Sequence, residues 1–462
     1  MTVGARPAFR HTDAGTPEPV WLLDERWAGS AVTDVGRLRD DFDELLVLAA
    51  HPDDESLGVG GLVALAGRHG LPVRVVVATD GEASHPEATA WTPELLGRVR
   101  RSEVEAAVNR LVAGAVVEHL GMPDGGLDAL EEALADAVAE RAGPRTLLLA
   151  PWLDDGHPDH DAAGRAALEA GRRSGAAVAH YPLWLWHWGT PDDLDWSRVH
   201  VVELDRAALD AREAAFAAHR SQTTPIGPGA GDEPVVTGPV LRRARRLAEV
   251  VLAEPGTLPI RPSTTEDDAA GTFDAMYDGD EDPWRMVGSF YEERKRALAV
   301  AALGRRRYRS ALEIGCATGI LTRDLAARAD HVTALDVSAE ALEVARRDGP
   351  PAVTWVLGGV PADVPVGRFD LVVLSEVGYF LTPLHLLETL RLVRARLAPG
   401  GEVVLVHWRH PTDGIPLDGP AVHDQARSAL GDLPLRSRYE DADLLLDVLG
   451  GPVSLAAEEG RR

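Results

Sequence analysis

The feature that most constrains the fold of this chain is a regular alternation of short apolar runs with longer amphipathic stretches, which begins near residue 45. The apolar runs have the length of buried strands, and the stretches between them carry apolar residues at helical spacing. Such alternation is typical of helices that cover a parallel sheet, so we expect an α/β fold. The first strands are predicted at Leu45–Ala50, Val73–Thr79, Val116–Leu120 and Thr146–Ala150, and the helices between them at Gly60–Arg68, Pro93–Leu111 and Leu127–Ala142.

A break in composition separates this series from a second one. A strand over Ala179–Trp188 and a helix over Arg206–Arg220 end the first series. Residues 256–271 are then rich in Pro, Ser, Thr and Asp and lack a periodic apolar face, as expected of a linker. The second series has predicted strands at Ala311–Ile314, His331–Leu335, Val353–Leu357, Phe369–Leu374 and Glu402–His407.

The 462 residues therefore predict two tandem α/β domains with mainly parallel sheets. We place the first domain at residues 41–255 and the second at 273–462, with a linker at 256–272 between them. Residues 1–40 form an N-terminal extension that the pattern does not assign to either domain.

Composition and charge exclude several classes of partner. The formal net charge of −26 argues against nucleic acid and anionic membrane, because phosphate binding needs clustered Lys and Arg. No apolar run is long enough to span a membrane, and the first ten residues lack the apolar core of a secretory signal, so we expect a cytoplasmic protein. Cys316 is the only cysteine, so a metal must be held by histidines and carboxylates. A catalytic lysine can only be Lys295.

Histidines and acids gather where strands of the first domain end. Residues 51–55 read His-Pro-Asp-Asp-Glu after the first strand, and residues 157–160 read His-Pro-Asp-His after another. A third strand ends near Asp80 and Glu82. A single His-Pro-Asp-Asp is more often a capped turn, but two clusters at one sheet edge favour a metal site. Two imidazoles and a carboxylate facing an open position are typical of catalytic zinc, and the same set also suits iron(II).

The motifs over residues 43–250 resemble the PIG-L family of zinc-dependent N-deacetylases, which act on N-acetylglucosamine conjugates. They are residues 50–55, 79–82, 119–125, 157–160 and 218–222. The resemblance implies that His51, Asp54 and His160 bind zinc and that Asp53 is the general base.

The same resemblance implies roles for the residues around the metal. His157 would stabilise the oxyanion and protonate the departing amine, while Asp159 would orient His157. Asp124 and Glu82 are the expected substrate-binding residues. Asp124 stands at the family position that touches a sugar hydroxyl, although capping of a turn explains it equally well.

Three tryptophans alternate along the strand predicted over Ala179–Trp188. This spacing places Trp184, Trp186 and Trp188 on one strand face. Such a face can stack on a sugar ring, but packing beneath helices is the commoner explanation and the one we expect.

The second domain carries a glycine loop between a strand and a helix. Gly315 and Gly319 lie in this loop, and a strand ending in Asp336 follows 21 positions after Gly315, where an acid would bind a ribose. This spacing alone does not separate a nicotinamide cofactor from S-adenosylmethionine. The loop is not G-x-G-x-x-G and is preceded by Glu313, which points away from dinucleotides.

Residues 273–450 resemble class I S-adenosylmethionine-dependent methyltransferases, in particular the NodS-like branch that N-methylates a deacetylated sugar. The supporting motifs are residues 282–284, 289–292, 369–376, 379–381, 407–411 and 416–418. With the first resemblance, this implies two Rossmann-like domains. The residues implied to bind the cofactor are Glu313, Gly315, Cys316, Gly319, Asp336 and Val337.

Several positions of the second domain depart from the family or stay open. Ala317 replaces the middle glycine of the loop, and the strand ending at Leu357 has no acid for adenine before Asp363. Glu376 either faces the methionine end of the cofactor or is an ordinary strand-end carboxylate. His407 and His410 either take a proton from an acceptor amine or are polar residues at a strand end.

Together the two resemblances predict a bifunctional enzyme that uses zinc and S-adenosylmethionine on a small-molecule amino-sugar conjugate. It would remove an N-acetyl group and methylate the freed amine. Alternatively, the second domain methylates an oxygen elsewhere or only binds substrate. The oligomeric state stays open.

Overall fold

The structure is a computed structural model, and it describes residues 13–261, 266–277, 279–347, 349–412, 414–451 and 454–461. The described chain divides into two compact units. One comprises residues 13–21 and 29–261, and the other comprises residues 22–28 and the chain beyond 261. Each unit is built around one sheet.

The sheet of the first unit has eight strands in the order β1-β7-β8-β6-β5-β2-β3-β4. These strands are β1 Ala31–Val32, β2 Glu44–Ala49, β3 Val73–Thr79, β4 Val116–Met122, β5 Thr146–Pro151, β6 Ala177–Tyr181, β7 Val199–Glu203 and β8 Ala248–Ala253. All neighbours are parallel except at β8, which pairs antiparallel with both β6 and β7. The expectation of a mainly parallel sheet is therefore confirmed.

Helices cover both faces of this sheet. They are α1 Glu18–Leu22, α2 Leu38–Asp41, α3 Asp54–Arg68, α4 Pro93–Leu111, α5 Glu131–Ala139, α6 Pro158–Ser174, α7 Leu185–Trp188, α8 Arg206–Phe216, α9 Arg220–Thr223 and α10 Gly238–Ala244. Short 3₁₀ turns lie at Val35–Arg37, Leu127–Leu130, Pro191–Asp193 and Trp196–Arg198, and a further one at Glu25–Gly29 falls mostly in the segment 22–28 that groups with the second unit.

The buried apolar side chains explain why the strands read as continuous apolar runs. Leu45 and Val47 of β2 point into a core shared with α3, α4 and α8. Leu46 and Leu48 point to the opposite face, into a core shared with α5 and α6. A strand buried on both faces needs no polar alternation.

The strand predicted over Ala179–Trp188 ends at Tyr181, so the prediction of a tryptophan face is wrong. Pro182 has no N–H with which to continue the ladder. The N–H groups of residues 183–185 instead donate to the buried Asp155 carboxylate at 2.8–2.9 Å, and α7 follows. Trp186 is buried and packs edge to face on Trp21, with ring centroids 4.8 Å apart.

The sheet of the second unit has seven strands in the order β11-β10-β9-β12-β13-β15-β14. They are β9 Tyr308–Ile314, β10 Ala329–Asp336, β11 Val353–Leu357, β12 Phe369–Ser375, β13 Leu397–Trp408, β14 Leu435–Glu440 and β15 Leu444–Gly450. β15 pairs antiparallel with β13 and β14, and the other pairs are parallel. The strand order reverses beside β9, where an open α/β sheet forms its ligand crevice.

Beyond residue 261 the second unit contains a series of helices, with a 3₁₀ turn at Gly378–Phe380 between two of them. They are α11 Glu266–Tyr277, α12 Phe290–Ala302, α13 Ile320–Ala326, α14 Ala339–Arg347, α15 Pro383–Arg396, α16 Gly419–Ala429 and α17 Leu455–Glu458. Among the described residues of both units, no helix combines the length and hydropathy needed to cross a bilayer.

The two ends of the first unit differ from the sequence pattern. Part of the predicted N-terminal extension belongs to the sheet, because β1 pairs with β7. In the segment 256–272, Leu258 is buried in the first core and Ile260 bridges to Thr33, while α11 begins at residue 266. Residues 1–12 of the extension and 262–265 of the predicted linker lie outside the described residues.

Two candidate active sites

The first candidate site lies where β2 and β5 end. These strands are parallel neighbours, so the loops that follow them meet at one edge of the sheet. His51 and Asp53 lie in the loop between β2 and α3, and Asp54 begins α3. His157 caps α6 and His160 lies in its first turn.

The three predicted metal ligands come together at this edge. Asp54 Oδ1 is 3.2 Å from His160 Nε2, and Asp54 Oδ2 is 3.7 Å from His51 Nδ1. Burial opposes ionisation of Asp54, but the two imidazoles outweigh it and hold the pKa of this carboxyl well below its usual range. His157 joins the same cluster, because one ring nitrogen from each of the three histidines fits within 4.8 Å.

A buried carboxylate that sequence reasoning missed orients His160. Asp155 Oδ2 lies 2.7 Å from His160 Nδ1, and both side chains are fully buried. Burial disfavours a charged imidazole, yet Asp54 and Asp155 raise the pKa of His160 to about 9. The signal was present as an acid five residues before His160, although its direction was not readable from the chain.

Asp159 contacts a different histidine from the one predicted. Its carboxylate lies 3.1 Å from His51 Nε2 and accepts the N–H groups of Gly125 and Leu127. Only its backbone N–H reaches His157, at 3.2 Å from Nδ1. Those N–H donors turn the carboxylate toward His51, and the contact of Asp159 with His157 is made by its backbone; that Asp159 orients His157 stays a prediction.

The two predicted substrate-binding residues contact each other. The Asp124 N–H donates to Glu82 Oε1 at 3.0 Å, and Asp124 Oδ2 accepts the Ala83 N–H at 2.8 Å. Asp124 Oδ1 also lies 3.2 Å from His51 Nε2. Asp124 thus both caps a turn and faces the histidine cluster. Glu82 instead accepts the backbone N–H of Asp124.

Asp53 has an unusual backbone and an unusual environment. Its φ of 134° lies in the region that L residues rarely adopt. Burial raises the pKa of its carboxyl to about 6, although Arg100, 3.4 Å away, opposes that rise. Arg100 also donates to the carbonyls of Pro52 and Gly81, which fixes the loop.

His157 is held as a neutral ring. Burial and the neighbouring His160 and His51 lower its pKa to about 3. Its Nδ1 accepts the Asp159 N–H, so the proton of the neutral ring belongs on Nε2.

The second candidate site lies at the end of β9. Gly315 has φ 75°, and a Cβ on it would lie 1.9 Å from Cγ2 of Val377. Ala317 keeps the left-handed conformation that glycine usually supplies, with φ 46°, and its N–H donates to Asp336 Oδ2 at 2.7 Å. Ala317 therefore adopts a backbone conformation of the kind that a glycine would supply at this position.

A cavity of about 550 Å³ opens beside this loop. Five of the six predicted cofactor residues line it: Glu313, Gly315, Cys316, Asp336 and Val337. Gly319 does not line it; its N–H closes the loop on the Cys316 carbonyl. Asp363 is not a lining residue either, because its carboxylate accepts the Gly359 N–H.

Glu313 lies beneath the loop with a buried, unpaired oxygen. Its Oε2 has no hydrogen-bond partner among the described residues. Burial raises the pKa of the Glu313 carboxyl to about 8.

Glu376 is the centre of the other end of the cavity. It has φ 58°, and its carboxylate accepts hydrogen bonds from Lys295 Nζ at 3.0 Å, from the Trp408 N–H and from the Tyr379 hydroxyl. Tyr291 lines the same end with a buried hydroxyl that has no partner in the described structure. The only lysine of the chain therefore holds the carboxylate that the sequence left open.

The fold and both sites define a chain with a deacetylase half and a methyltransferase half. Residues 46–171 match the family model of PIG-L, GlcNAc-PI de-N-acetylase, and residues 275–410 match that of Nodulation protein S (NodS). The chain belongs to both families, with one domain from each.

Each half of the chain is similar to particular known proteins. The second half is 30% identical over 187 residues to nodulation protein S of Rhizobium tropici, covering 38% of this chain and 77% of that protein. The first half is 31% identical over 227 residues to the 1D-myo-inositol 2-acetamido-2-deoxy-alpha-D-glucopyranoside deacetylase of Streptomyces avermitilis, covering 42% and 74%. The crystal structure of N-methyltransferase NodS from Bradyrhizobium japonicum WM9 with S-adenosyl-l-homocysteine is 26% identical, with TM-score 0.36 and coverage of 40% and 100%.

Proposed function

We propose that this chain removes the acetyl group from an N-acetylglucosamine-type conjugate and then methylates the freed amine. The observation that carries the proposal is that one chain holds a histidine–carboxylate cluster in one unit and a cavity of about 550 Å³ beside a glycine loop in the other. Chemistry sets the order, because an amide nitrogen is a poor nucleophile and a free amine is a good one.

The first cluster fits a zinc ion. His51, Asp54 and His160 would hold it, since the buried His160 Nε2 has no hydrogen-bond partner among the described residues and faces Asp54. The carboxylates of Asp54 and Asp155 lie 3.2 and 2.7 Å from the His160 ring nitrogens, which favours positive charge at this position. When bound, zinc makes water acidic and polarises a carbonyl.

The residues around the zinc position would divide the hydrolytic work. Asp53 would take the proton of the attacking water, because it lies next to Asp54 and is held in place by Arg100. His157, beside the two histidine ligands, would donate its Nε2–H to the developing oxyanion. Asp155 and Asp159 would orient His160 and His51.

The cavity of the second unit fits S-adenosylmethionine. Asp336 at the end of β10 would bind the ribose hydroxyls, and Arg296 lines the cavity as a partner for the carboxylate of the methionine part. The unpaired Glu313 Oε2 would form a hydrogen bond with a polar group of the cofactor. When bound, this cofactor supplies an electrophilic methyl group.

Nitrogen is the favoured methyl acceptor because of what surrounds Glu376. Tyr291, Tyr379 and Trp408 line that end of the cavity together with Glu376 and Glu292, two carboxylates that share the single positive charge of Lys295. Aromatic faces and carboxylates stabilise an ammonium group such as the methylated product. Positioning of the amine against the methyl group would supply most of the rate.

Two assays on the purified protein test the assignment. Acetate release from N-acetylglucosamine conjugates should disappear after chelation and return with zinc. Methyl transfer should occur with glucosamine conjugates whether or not the metal is chelated, and with their N-acetyl forms only when the metal is present. Activity that returns with iron(II) but not zinc would overturn the metal assignment. Methylation of oxygen on either substrate would favour the alternative of O-methylation.

A further inference from the structure

Three buried side chains form a hydrogen-bonded chain behind the methyl-acceptor end of the cavity. Asp447 Oδ2 lies 2.8 Å from His423 Nδ1, and His423 Nε2 lies 3.1 Å from His407 Nδ1. His407 Nε2 in turn accepts the backbone N–H of Gly378 at 3.1 Å. His407 and His423 are completely buried and Asp447 is 1% exposed. Neither the family resemblances nor the proposed function assigns a role to this hydrogen-bonded chain.

The Gly378 N–H fixes the direction of every bond in the chain. An N–H can only donate, so His407 Nε2 must be the unprotonated nitrogen and Nδ1 must carry the proton. His407 Nδ1–H then donates to His423 Nε2, and His423 Nδ1–H donates to the Asp447 carboxylate. With both rings neutral, every nitrogen has one partner. Burial and the nearby His423 and Lys295 hold the pKa of His407 well below its usual range, which agrees with a neutral ring.

The hydrogen-bonded chain ends at the Gly378 N–H, in the loop that carries Glu376. Gly378 begins the 3₁₀ turn that follows Glu376, and both Tyr379 and Phe380 of that turn line the cavity. Glu376 itself has φ 58°, a conformation that costs free energy in a residue other than glycine. The turn is pressed against the core, because a Cβ on Gly378 would lie 2.5 Å from Cγ1 of Val422. A strained loop of this kind persists only where its surroundings hold it.

The same geometry excludes proton transfer by His407. Both of its ring nitrogens are occupied within the protein, and its ring has no exposed surface. His410 is half-exposed and pairs with Asp443. Of the two roles left open for His407, the structure therefore supports neither a base nor a simple polar strand end.

We propose that Asp447, His423 and His407 are positioning residues that hold the Glu376–Phe380 loop in its methyl-transfer geometry. The Gly378 N–H at one end and the Asp447 carboxylate at the other favour the same tautomers of the two rings, and His407 in this tautomer accepts the Gly378 N–H. Loss of these hydrogen bonds would let the Glu376–Phe380 loop relax, which would displace Glu376 and Tyr379 from the methyl acceptor. The cofactor loop after β9 would stay in place.

A matched pair of variants at His423 tests this role. His423→Leu removes the acceptor for His407 Nδ1–H, whereas His423→Gln keeps both bonds through its own oxygen and N–H. We expect His423→Leu to lower kcat for methyl transfer about 10- to 100-fold with S-adenosylhomocysteine affinity unchanged, since small displacements of reacting groups cost about this much. His423→Gln should restore most of kcat. His331→Gln, on the exposed part of β10, is the control for loss of an imidazole.

Two readings from the protein alone keep the inference separate from the proposed function, on which the kcat readout rests. Nitrogen-15 NMR of histidine-labelled wild type should show His407 with its proton on Nδ1, and the Gly378 amide should exchange faster in His423→Leu. An Nε2–H tautomer in the wild type, or full kcat in His423→Leu, would overturn the inference. If the wild type methylates no amine, the proposed function fails, while the tautomer and the exchange rate still decide the role of the chain.

Discussion

At the scale of single residues, the deacetylase site is organised by carboxylates with different partners. Asp53 has a pKa raised to about 6 by burial, while the neighbouring Asp54 is held ionised by two imidazoles. Two adjacent acids of one loop thus differ in proton affinity because their side chains point to different surroundings. This separation suits one as a proton acceptor and the other as a metal ligand.

Replacement of the proposed base separates the two activities. Asp53→Asn should lower deacetylation about 10²- to 10⁴-fold, because a positioned base contributes roughly that factor. Zinc content should stay unchanged, and so should methylation of a substrate that is already deacetylated. Acetate release and metal analysis measure the first two, with Asp154→Asn, an exposed aspartate in the loop after β5, as the control. Equal loss in both variants would remove Asp53 from the mechanism.

Asp155 should control metal affinity rather than the chemical step. It orients His160 and accepts three backbone N–H groups before α7. Asp155→Asn should weaken zinc binding about 10- to 100-fold, the usual effect of removing the partner of a histidine ligand. Competition with a zinc chelator measures this, and saturating zinc should recover much of the activity. Unchanged zinc affinity would show that Asp155 only shapes the backbone.

At the scale of secondary-structure elements, the loop between β9 and α13 has three left-handed positions, Gly315, Ala317 and Gly319, and the first two should differ in their tolerance of substitution. Gly315→Ala places a Cβ against Val377 and should lower S-adenosylmethionine affinity at least about 10-fold and unfolding free energy by about 1–3 kcal/mol. Ala317→Gly should keep cofactor affinity, because φ 46° is already left-handed. Calorimetric titration and denaturant unfolding measure both. Equal loss in the two variants would contradict this account of the loop.

The end of β9 should also give a pH-dependent stability. Glu313 has its pKa raised to about 8 in the folded protein and an ordinary value near 4.5 when unfolded. The folded state therefore binds its proton more tightly, so this contribution is full below pH 4.5 and is lost as pH rises through 8. Glu313→Gln should match the wild type near pH 5 and be more stable by a few kcal/mol at pH 8.5. A difference in unfolding free energy between Glu313→Gln and the wild type that stays the same from pH 5 to pH 8.5 would contradict a raised pKa of Glu313.

The elements divide into those that the sequence pattern predicts and those that depend on distant contacts. Val73–Thr79 and Pro93–Leu111 agree with the prediction at both ends, because their periodicity and caps are local. The end of β6 was mispredicted, since it is set by Asp155, 26 or more residues earlier in the chain. β8 has no local feature that makes it the antiparallel strand between β6 and β7.

The candidate sites show the same division. The histidine and acid types, and the strand ends that carry them, were readable from their spacing. The partner of each side chain was not, as Asp159 shows by accepting from Gly125 and Leu127 and thereby facing His51. Likewise, the partner of Lys295 is Glu376, which lies 81 positions further along the sequence.

At the scale of the whole molecule, we propose that the deacetylase domain and the methyltransferase domain of this chain act one after the other on the same nitrogen. Each unit has its own sheet and its own site. The first reaction would turn a poor nucleophile into a good one, and the second would use it. Both families are shown by sequence, and the order is the part that experiment must decide.

The most direct test is a time course of one reaction that contains the wild-type protein, zinc, deuteromethyl S-adenosylmethionine and an N-acetylglucosamine conjugate, followed by mass spectrometry. The account predicts that the product without acetyl appears first and that the deuterated methyl group then appears on the same nitrogen. With Asp53→Asn, neither product should form unless the deacetylated conjugate is added. A deuteromethyl group on material that still carries its acetyl group would contradict the account.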